Sequence, residues 1–248
     1  MHATYASLYR GLWDRHWWWR SRRAFVRRLV SRLTLPQGAE LLDIGCGDAL
    51  FFDELGKLGT VYGIEPDERL INPENPHRDR IEVTPFGPDY QTDRRYDLIT
   101  MLDVLEHIED DCGTLDRVQS LLKPGGYLVM TVPAMSWLWS MHDVANQHYR
   151  RYTSGELGGK ISAQGMELQR CGYTFGWTVG AMLARRAIAP ARAQINQTQN
   201  EADDYAVKTP PAPINQMLYG LTRFEQTIAR PFGTPLGSSA YAVARKAA

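Results

Sequence analysis

The sequence predicts an α/β fold in which helices cover both faces of a mostly parallel, seven-stranded sheet. Three observations support this prediction. Apolar runs of strand length alternate with helical stretches, a glycine turn follows the first strand, and 44% hydrophobic residues with balanced charge are typical of a globular protein. Because right-handed crossovers join strands that alternate with helices, we expect these strands to lie parallel.

The first 34 residues predict an amphipathic helix. Trp19, Val26, Val30 and Leu33 recur at helical spacings of 7, 4 and 3, and arginines fill most other positions. We expect residues 1–34 to form a helical lid on the rest of the chain.

The next segment predicts a βαβ unit. Residues 40–45 form a short apolar run that ends in glycines, residues 49–58 are helical in pattern, and residues 60–65 form a second apolar run. Further strands are predicted at residues 81–84, 96–102, 127–132, 166–177 and 238–245.

The last third of the chain departs from this alternation. Thr153, with Glu156 three residues on, is a capping box that opens a helix. Four prolines and many polar residues predict a surface excursion over 189–213, and apolar residues at helical spacing predict a second amphipathic helix over 214–228. We therefore assign residues 35–248 to one domain, which has an insertion at about residues 189–235, before the last strand.

The three cysteines, Cys46, Cys112 and Cys171, include no C-x-x-C pair, which argues against a disulfide framework or a zinc site. No apolar stretch reaches the roughly 18 residues of a membrane-spanning helix, and the N-terminal residues lack the pattern of a signal peptide. These features favour a cytoplasmic protein.

The glycine turn after the first strand carries the strongest functional signal. Gly45 and Gly47 let the backbone turn sharply beside a ligand, and Glu65 lies about 20 residues on, where a carboxylate can accept both hydroxyls of a ribose. Position 50 is Leu, where a pyrophosphate-binding pattern requires Gly or Ala, and the acidic Asp43 precedes the turn. This pattern favours S-adenosylmethionine, which has an ammonium group and no phosphate. A plain connection between strand and helix is the structural alternative.

Three ordered motifs extend this pattern: LLDIGCGDA at 41–49, YDLITMLDVLEHIE at 96–109 and LLKPGGYLV at 121–129. With them the sequence resembles the class I S-adenosylmethionine-dependent methyltransferases, in the broad group that includes quinone-biosynthesis methyltransferases. The resemblance implies a Rossmann-like fold that binds the cofactor at the C-terminal edge of its strands. The implied cofactor residues are Asp43, Gly45, Cys46 and Gly47 at the methionine moiety, Glu65 and the adjoining Pro66 at the ribose, and Leu102, Asp103, Val104 and His107 near the transferable methyl group.

One position departs from the family pattern. Many relatives place an acidic residue after the third strand, where it receives the adenine amino group, but this sequence has TPFG at 84–87. We expect Phe86 to pack against adenine instead.

Candidate catalytic residues lie in the loop that follows the fifth strand. Histidine titrates near neutral pH, so His142 or His148 could deprotonate an acceptor hydroxyl. Alternatively, these histidines brace the loop together with Asp143 and Asn146. His142, His148 and Asp143 also have side chains that bind metals, but no further spaced ligand supports a metal site, and none is expected.

Candidate substrate residues occur in two segments. In the N-terminal helix, His16, Trp17, Trp18 and Arg22 could face the cofactor or the substrate, or the aromatic side chains could cover the core. In the loop, Arg151 and Tyr152 could clamp an anionic group of the substrate or pair with the acidic middle segment.

The charged residues form three blocks, with net charges of +7 over residues 1–34, −14 over 35–116 and +7 over 117–248. Basic blocks can bind nucleic acid or a membrane surface, or can fold back over the acidic block. We favour internal complementarity around a cleft.

The sequence therefore predicts an enzyme that moves a methyl group to an oxygen, or less readily to a nitrogen or carbon, of a small or medium organic acceptor that is apolar or aromatic. The alternatives are an RNA, protein or peptide methyltransferase, and a non-catalytic cofactor-binding protein that could contact a membrane surface. The neutral total charge and the lack of a nucleic-acid-binding module disfavour nucleic acid as a partner.

Overall fold

A computed structural model describes residues 10–188, 209–228 and 233–247. Seven strands form one sheet in the order β3-β2-β1-β4-β5-β7-β6. Strands β1 to β5 are parallel, and β7 runs antiparallel to both β5 and β6. The strands are β1 Ala39–Ile44, β2 Gly59–Ile64, β3 Ile81–Glu82, β4 Tyr96–Leu102, β5 Leu122–Pro133, β6 Met166–Thr174 and β7 Ser239–Lys246. The predicted mostly parallel sheet is confirmed.

Helices pack on both faces of this sheet. They are α1 at residues 10–15, α2 Trp17–Val30, α3 Phe52–Leu55, α4 Asp111–Leu121, α5 Met141–Ala145, α6 Ser154–Ala163, α7 Gly176–Ile188 and α8 Ala212–Ile228. None of the helices in the described ranges is both long and apolar enough to cross a membrane.

The two faces of the sheet carry separate parts of the core, because successive side chains of a strand point to opposite faces. Leu42 and Ile99 lie in a cluster with α4 and α6, whereas Leu41 and Leu98 lie in a cluster with α2. The amphipathic pattern of the N-terminal segment is explained by this packing, since Val26 and its apolar neighbours cover the second face.

The predicted N-terminal helix is broken at His16, within the residues that the structure describes. The His16 imidazole accepts a hydrogen bond from the backbone N–H of Trp18 (3.2 Å) and so caps α2. Asn215 of α8 holds the same break, because it accepts a hydrogen bond from Trp17 N (2.8 Å) and donates one to the carbonyl oxygen of Arg15 (2.7 Å). The boundary of the lid at residue 34 stays a proposal.

Two other predicted boundaries are wrong, each because of a residue with left-handed backbone. Ala49 has φ +55°, so the predicted helix over 49–58 is reduced to the short α3. Phe175 has φ +60°, which ends β6 before the predicted Trp177 and starts α7. A carboxylate of Glu225 in α8 then accepts hydrogen bonds from the backbone N–H groups of Gly176 and Trp177, both at 2.8 Å.

The predicted insertion lies between β6 and β7. Residues 189–208 and 229–232 of it are outside the described ranges. The predicted helix at 214–228 is confirmed as α8.

The charge blocks pair with one another. From the first block, Arg22 pairs with Asp103 (2.7 Å) and Arg10 pairs with Asp48. From the last block, Lys160 pairs with Asp111 (3.0 Å). The predicted internal complementarity is confirmed for these pairs.

We expect Gly63→Ala to destabilise the fold and Gly159→Ala to stabilise it. A Cβ at Gly63 would lie 2.6 Å from Cys46 Sγ and 2.8 Å from Phe52 Cζ, so overpacking should lower the free energy of unfolding by about 1–3 kcal/mol. Gly159 is exposed within α6 with nothing within 4 Å of its Cβ position, so alanine should add about 0.5–1 kcal/mol. Urea unfolding of both variants measures these changes, and equal effects would contradict the packing around Gly63.

Candidate active site

The candidate site lies at the C-terminal edge of the parallel strands, where β1 has β2 on one side and β4 on the other. The chain order of the strands reverses at this point, and ligands of open α/β sheets bind in the crevice that such a reversal creates. The glycine turn follows β1 and the segment from Asp103 to His107 follows β4, so the sheet brings both motifs to this crevice.

The glycine turn is packed against the turn after β4. Gly45 and Gly47 have φ values of +69° and +54°, in the left-handed region that favours glycine. A Cβ at Gly45 would collide with Cγ2 of Val104. The backbone N–H groups of Gly45 and Cys46 donate to the carbonyl oxygen of Ile64, at 2.8 and 3.1 Å, which ties the turn to β2.

Glu65 lies at the end of β2 and is buried. Its two carboxylate oxygens accept hydrogen bonds from the backbone N–H groups of Gly47 (2.9 Å) and Asp67 (3.0 Å). Burial raises the pKa of this carboxyl, and the two backbone donors work against that shift. Glu65 therefore presents a partly desolvated carboxylate directly beside the glycine turn.

Asp43 is also buried, one strand away, and its Oδ1 accepts a 2.6 Å hydrogen bond from the Thr100 hydroxyl. Burial raises its pKa to about 7, although the Thr100 hydrogen bond and the charge of Arg22 act in the opposite direction. Burial likewise raises the pKa of the Cys46 thiol, which keeps it protonated. Cys46 thus contributes bulk and backbone to the turn and no nucleophile.

Arg22 connects the N-terminal helix to this edge of the sheet. Its Nη2 lies 2.7 Å from Asp103 Oδ2 and donates to Thr131 Oγ1 (3.2 Å), while the Thr131 hydroxyl donates to Asp103 Oδ1 (2.9 Å). The guanidinium also lies 5.4 Å from the Trp18 ring. Arg22, a predicted substrate residue, thus contacts Asp103, a predicted cofactor residue. These contacts place α2 across the ends of β4 and β5.

The aromatic residues of α2 meet the end of β6. Trp18 stacks on Phe175 with ring centroids 5.7 Å apart, and Trp17 packs on Trp177 at 5.3 Å. Sequence reasoning missed Phe175 and Trp177, because both fall in a segment that was assigned to a strand. Contact of Trp17, Trp18 or His16 with a substrate stays a prediction.

The two predicted catalytic histidines lie in one network. Nδ1 of His148 lies 2.9 Å from Oδ1 of Asp143, and Arg151 donates to both Asp143 oxygens at 2.7 and 2.9 Å. Burial tends to raise the pKa of Asp143. The hydrogen bonds from His148 and Arg151 outweigh burial and hold this pKa well below its ordinary value. The His142 ring lies 6.3 Å from that of His148, and burial lowers the pKa of His142.

His107 and Glu106 complete this histidine cluster from the β4 side. The rings of His107 and His148 are 4.6 Å apart, and burial lowers the pKa of His107 to about 4. Glu106 is 1% exposed, and no other residue in the described part of the chain donates a hydrogen bond to its carboxyl oxygens. Burial raises its pKa well above the ordinary value. Sequence reasoning missed Glu106, whose signal was its place in the motif YDLITMLDVLEHIE.

The other predicted residues take the following positions. Arg151 binds Asp143 and the carbonyl oxygen of Ala134 (3.0 Å), both outside the acidic segment of residues 35–116. Buried Tyr152 donates to Asp111 (3.0 Å) of that segment. Phe86 is buried 5.2 Å from the Tyr90 ring, and Pro66 is exposed after β2. The roles of Arg151, Tyr152, Phe86 and Pro66 in ligand binding stay predictions.

Comparisons with known proteins agree with this geometry. Residues 18–170, more than half of the chain, match a family model described as a methyltransferase domain. The ubiquinone biosynthesis O-methyltransferase of Nitrobacter winogradskyi is 31% identical over 121 residues, which are 46% of this chain and 46% of that protein. The chain thus matches about half the length of such curated relatives.

Solved structures share the fold. Phosphoethanolamine N-methyltransferase 2 of Haemonchus contortus, in complex with S-adenosyl-L-methionine, superposes with a TM-score of 0.62 at 16% identity, over 100% of this chain and 58% of that chain. A SAM-dependent methyltransferase from Archaeoglobus fulgidus gives a TM-score of 0.56 at 14% identity, over 90% and 92% of the two chains. At these identities the likeness concerns the fold alone.

We expect Asp43→Asn to stabilise the ligand-free chain, and more so at high pH. A folded-state pKa of about 7 means that Asp43 costs stability as the pH rises from about 4 to 7, since the unfolded chain ionises first. The gap in free energy of unfolding between variant and wild type should therefore widen by about 3 kcal/mol between pH 5 and pH 8. Urea unfolding at both pH values measures the gap.

The matched control is Asp14→Asn, because the Asp14 side chain is 73% exposed and its ion-pair partner, Arg23, is an arginine rather than a histidine. Its gap to the wild type should stay constant between the two pH values. A constant gap for Asp43→Asn as well would contradict the desolvated state of that carboxyl.

Proposed function

The chain belongs to the methyltransferase domain family, and from this premise we propose that it transfers a methyl group from S-adenosylmethionine to a hydroxyl oxygen of a small or medium-sized organic acceptor. The resemblance to class I S-adenosylmethionine-dependent methyltransferases rested on three motifs, all of which lie within the matched residues. The oxygen and the acceptor class are the finer part of the proposal, and the O-methyltransferase relatives of partial length support the oxygen.

The proposed donor site rests on one observation: the carboxyl groups of Asp43 and Glu65 are both buried beside the glycine turn. Glu65 follows β2 and can accept the ribose hydroxyls, as the position of this residue in the family implies. Asp43 ends β1 and is the acidic group for the ammonium of the methionine moiety. Arg22 is paired with Asp103, and Arg10 is paired with Asp48. Neither arginine is needed to bind a phosphate, because S-adenosylmethionine has none.

S-adenosylmethionine supplies an activated methyl group on a positively charged sulfur. The protein residues therefore need to position the acceptor and to take the proton of its hydroxyl group. His142 and His148 lie beyond the end of β5, at the same sheet edge as the glycine turn. Asp143 fixes the ring of His148 through its Nδ1, which is how a carboxylate orients a histidine for proton transfer.

An apolar or aromatic acceptor fits the surroundings of the site. Trp17, Trp18, Phe175 and Trp177 form a continuous aromatic wall from α2 to α7. Aromatic side chains bury large apolar areas and favour offset or edge-on contact with another ring. We infer that this wall borders the acceptor, and that the protein acts in the cytoplasm, as its three free cysteines suggest.

We expect Glu65→Gln to weaken binding of S-adenosylhomocysteine by about 10- to 100-fold, because a hydrogen bond to a charged group is lost at each ribose hydroxyl. Isothermal titration calorimetry measures the affinity. Glu68→Gln is the matched control, since the Glu68 side chain is 71% exposed and pairs with Arg78. Equal affinities of the two variants would remove Glu65 from the donor site.

We expect His148→Ala to lower methyl transfer by about 100-fold or more while donor affinity stays within twofold, because the acceptor loses its proton less readily. The assay uses donor with a labelled methyl group and a panel of phenols, aliphatic alcohols, amines and thiols. Labelled product from the phenols or alcohols supports oxygen transfer, and product from the amines alone would overturn it. Full activity of both His148→Ala and His142→Ala would remove the histidines from the reaction.

A further inference from the structure

Glu106, His107 and His148 place three metal-binding side chains together, outside the donor site. One ligand atom from each of them lies within 4.8 Å of the others. Glu106 and His107 belong to the short helical turn after β4, and His148 to the loop after α5. No metal site was expected from the sequence, and the spacing could not indicate this one, because Glu106 and His107 lie about 40 residues from His148 along the chain.

Glu106 is the observation that points to a missing partner. Its side chain is 1% exposed, and among the residues that the structure describes no other residue donates a hydrogen bond to its carboxyl oxygens. The nearest cations are engaged elsewhere, since Arg22 pairs with Asp103 and Arg151 pairs with Asp143. A buried carboxyl group without such partners stays ionised only at a cost, so this position is suited to a ligand that brings a positive charge.

His148 is oriented as metal-binding histidines usually are. Its Nδ1 lies 2.9 Å from the buried carboxylate of Asp143, which leaves Nε2 for a metal ion. Histidine ligands commonly donate their second ring N–H to a carboxylate in this way, which fixes the tautomer and makes the ligand more basic. Asp143 is in turn held by Arg151 and by the backbone N–H of Ser140 (2.8 Å).

We propose that Glu106, His107 and His148 bind a divalent transition-metal ion, most suitably Zn²⁺. Two imidazoles and one carboxylate are a ligand set of catalytic zinc sites, which keep further positions open for water or substrate. Imidazole ligands also favour Zn²⁺ over Mg²⁺ and Ca²⁺, which prefer oxygen ligands.

The turn that carries Glu106 and His107 is packed against the glycine turn of the donor site. Val104, two residues before Glu106, packs against Gly45 of the glycine turn so closely that no Cβ fits there. An acceptor hydroxyl bound to the ion would be more acidic than a free one, and because His148 would then be a metal ligand, His142 is the histidine left to take the proton. This role in the reaction rests on the proposed function, whereas binding of the ion does not.

The test measures metal binding to the full chain without donor or acceptor. Chain freed of metal with a chelator is titrated with Co²⁺, whose visible absorption reports nitrogen coordination, and Zn²⁺ is then added as a competitor. We expect one Co²⁺ per chain, displaced by Zn²⁺. Glu106→Gln, which keeps the shape of the side chain, and His107→Gln should each weaken binding by at least about 100-fold.

His77→Gln is the matched control, because His77 pairs with Asp53 on another part of the surface and should leave Co²⁺ binding unchanged. Thermal unfolding of each metal-free variant checks its fold. If Glu106→Gln does not fold, Co²⁺ binding by His107→Gln tests the proposal in its place. The proposal is overturned if the wild type takes up no stoichiometric Co²⁺, or if the folded ligand variants bind Co²⁺ as the wild type does.

The two proposals fail in different ways. A chain that binds Co²⁺ through these residues but methylates nothing in the acceptor panel would contradict the proposed function and keep the metal site. A chain that methylates an acceptor at the same rate with and without chelator, and takes up no Co²⁺, would contradict the metal site and keep the proposed function.

Discussion

The burial of acidic side chains at one edge of the sheet is the constraint on which the rest of the structure depends. Asp43, Glu65, Glu106, Asp111 and Asp143 are all buried there or just beyond it. A buried carboxylate is costly unless it is paired and hydrogen-bonded. The fold meets this cost fully for Asp111 and Asp143 and leaves it partly unmet for the others.

Asp111 and Asp143 are fully compensated from the last third of the chain. The carboxylate of Asp111 lies 2.9 Å from a guanidinium nitrogen of Arg150 and 3.0 Å from Nζ of Lys160. Arg151 forms a bidentate ion pair with both carboxylate oxygens of Asp143. The N-terminal block compensates the crevice itself, because Arg22 is 11% exposed and binds Asp103. Pairs with such low exposure resist screening by salt more than surface pairs do. Arg22 with Asp103, and Arg150 and Lys160 with Asp111, are thus ion pairs through which both basic blocks contact the acidic middle.

The sequence could predict most of the sheet, because its strands are short apolar runs separated by glycine, proline and polar residues. The glycine turn and Glu65 were also predictable, since their spacing follows from one βαβ unit. Local pattern could not find the ends of elements set by left-handed residues such as Ala49 and Phe175. Nor could it find the meeting of Glu106 with His148, because that contact depends on how two distant loops pack against each other.

Asp43, Glu65 and Glu106 have no ion pair within the described residues, but Glu65 accepts two backbone hydrogen bonds, which leaves Asp43 and Glu106 as the least compensated of the five acids. Asp43 has one hydroxyl donor, and Glu106 receives no hydrogen bond from any other residue within the described ranges. A fold selected for stability alone would replace both with apolar or amide side chains, which would remove a desolvation cost at neutral pH. Each lies instead where a positive charge is expected from outside the chain, the ammonium of the methyl donor at Asp43 and the proposed metal ion at Glu106. Ligands that bind only the folded chain would supply these positive charges and stabilise the fold. The desolvation cost of Asp43 and Glu106 therefore supports the two proposed ligands.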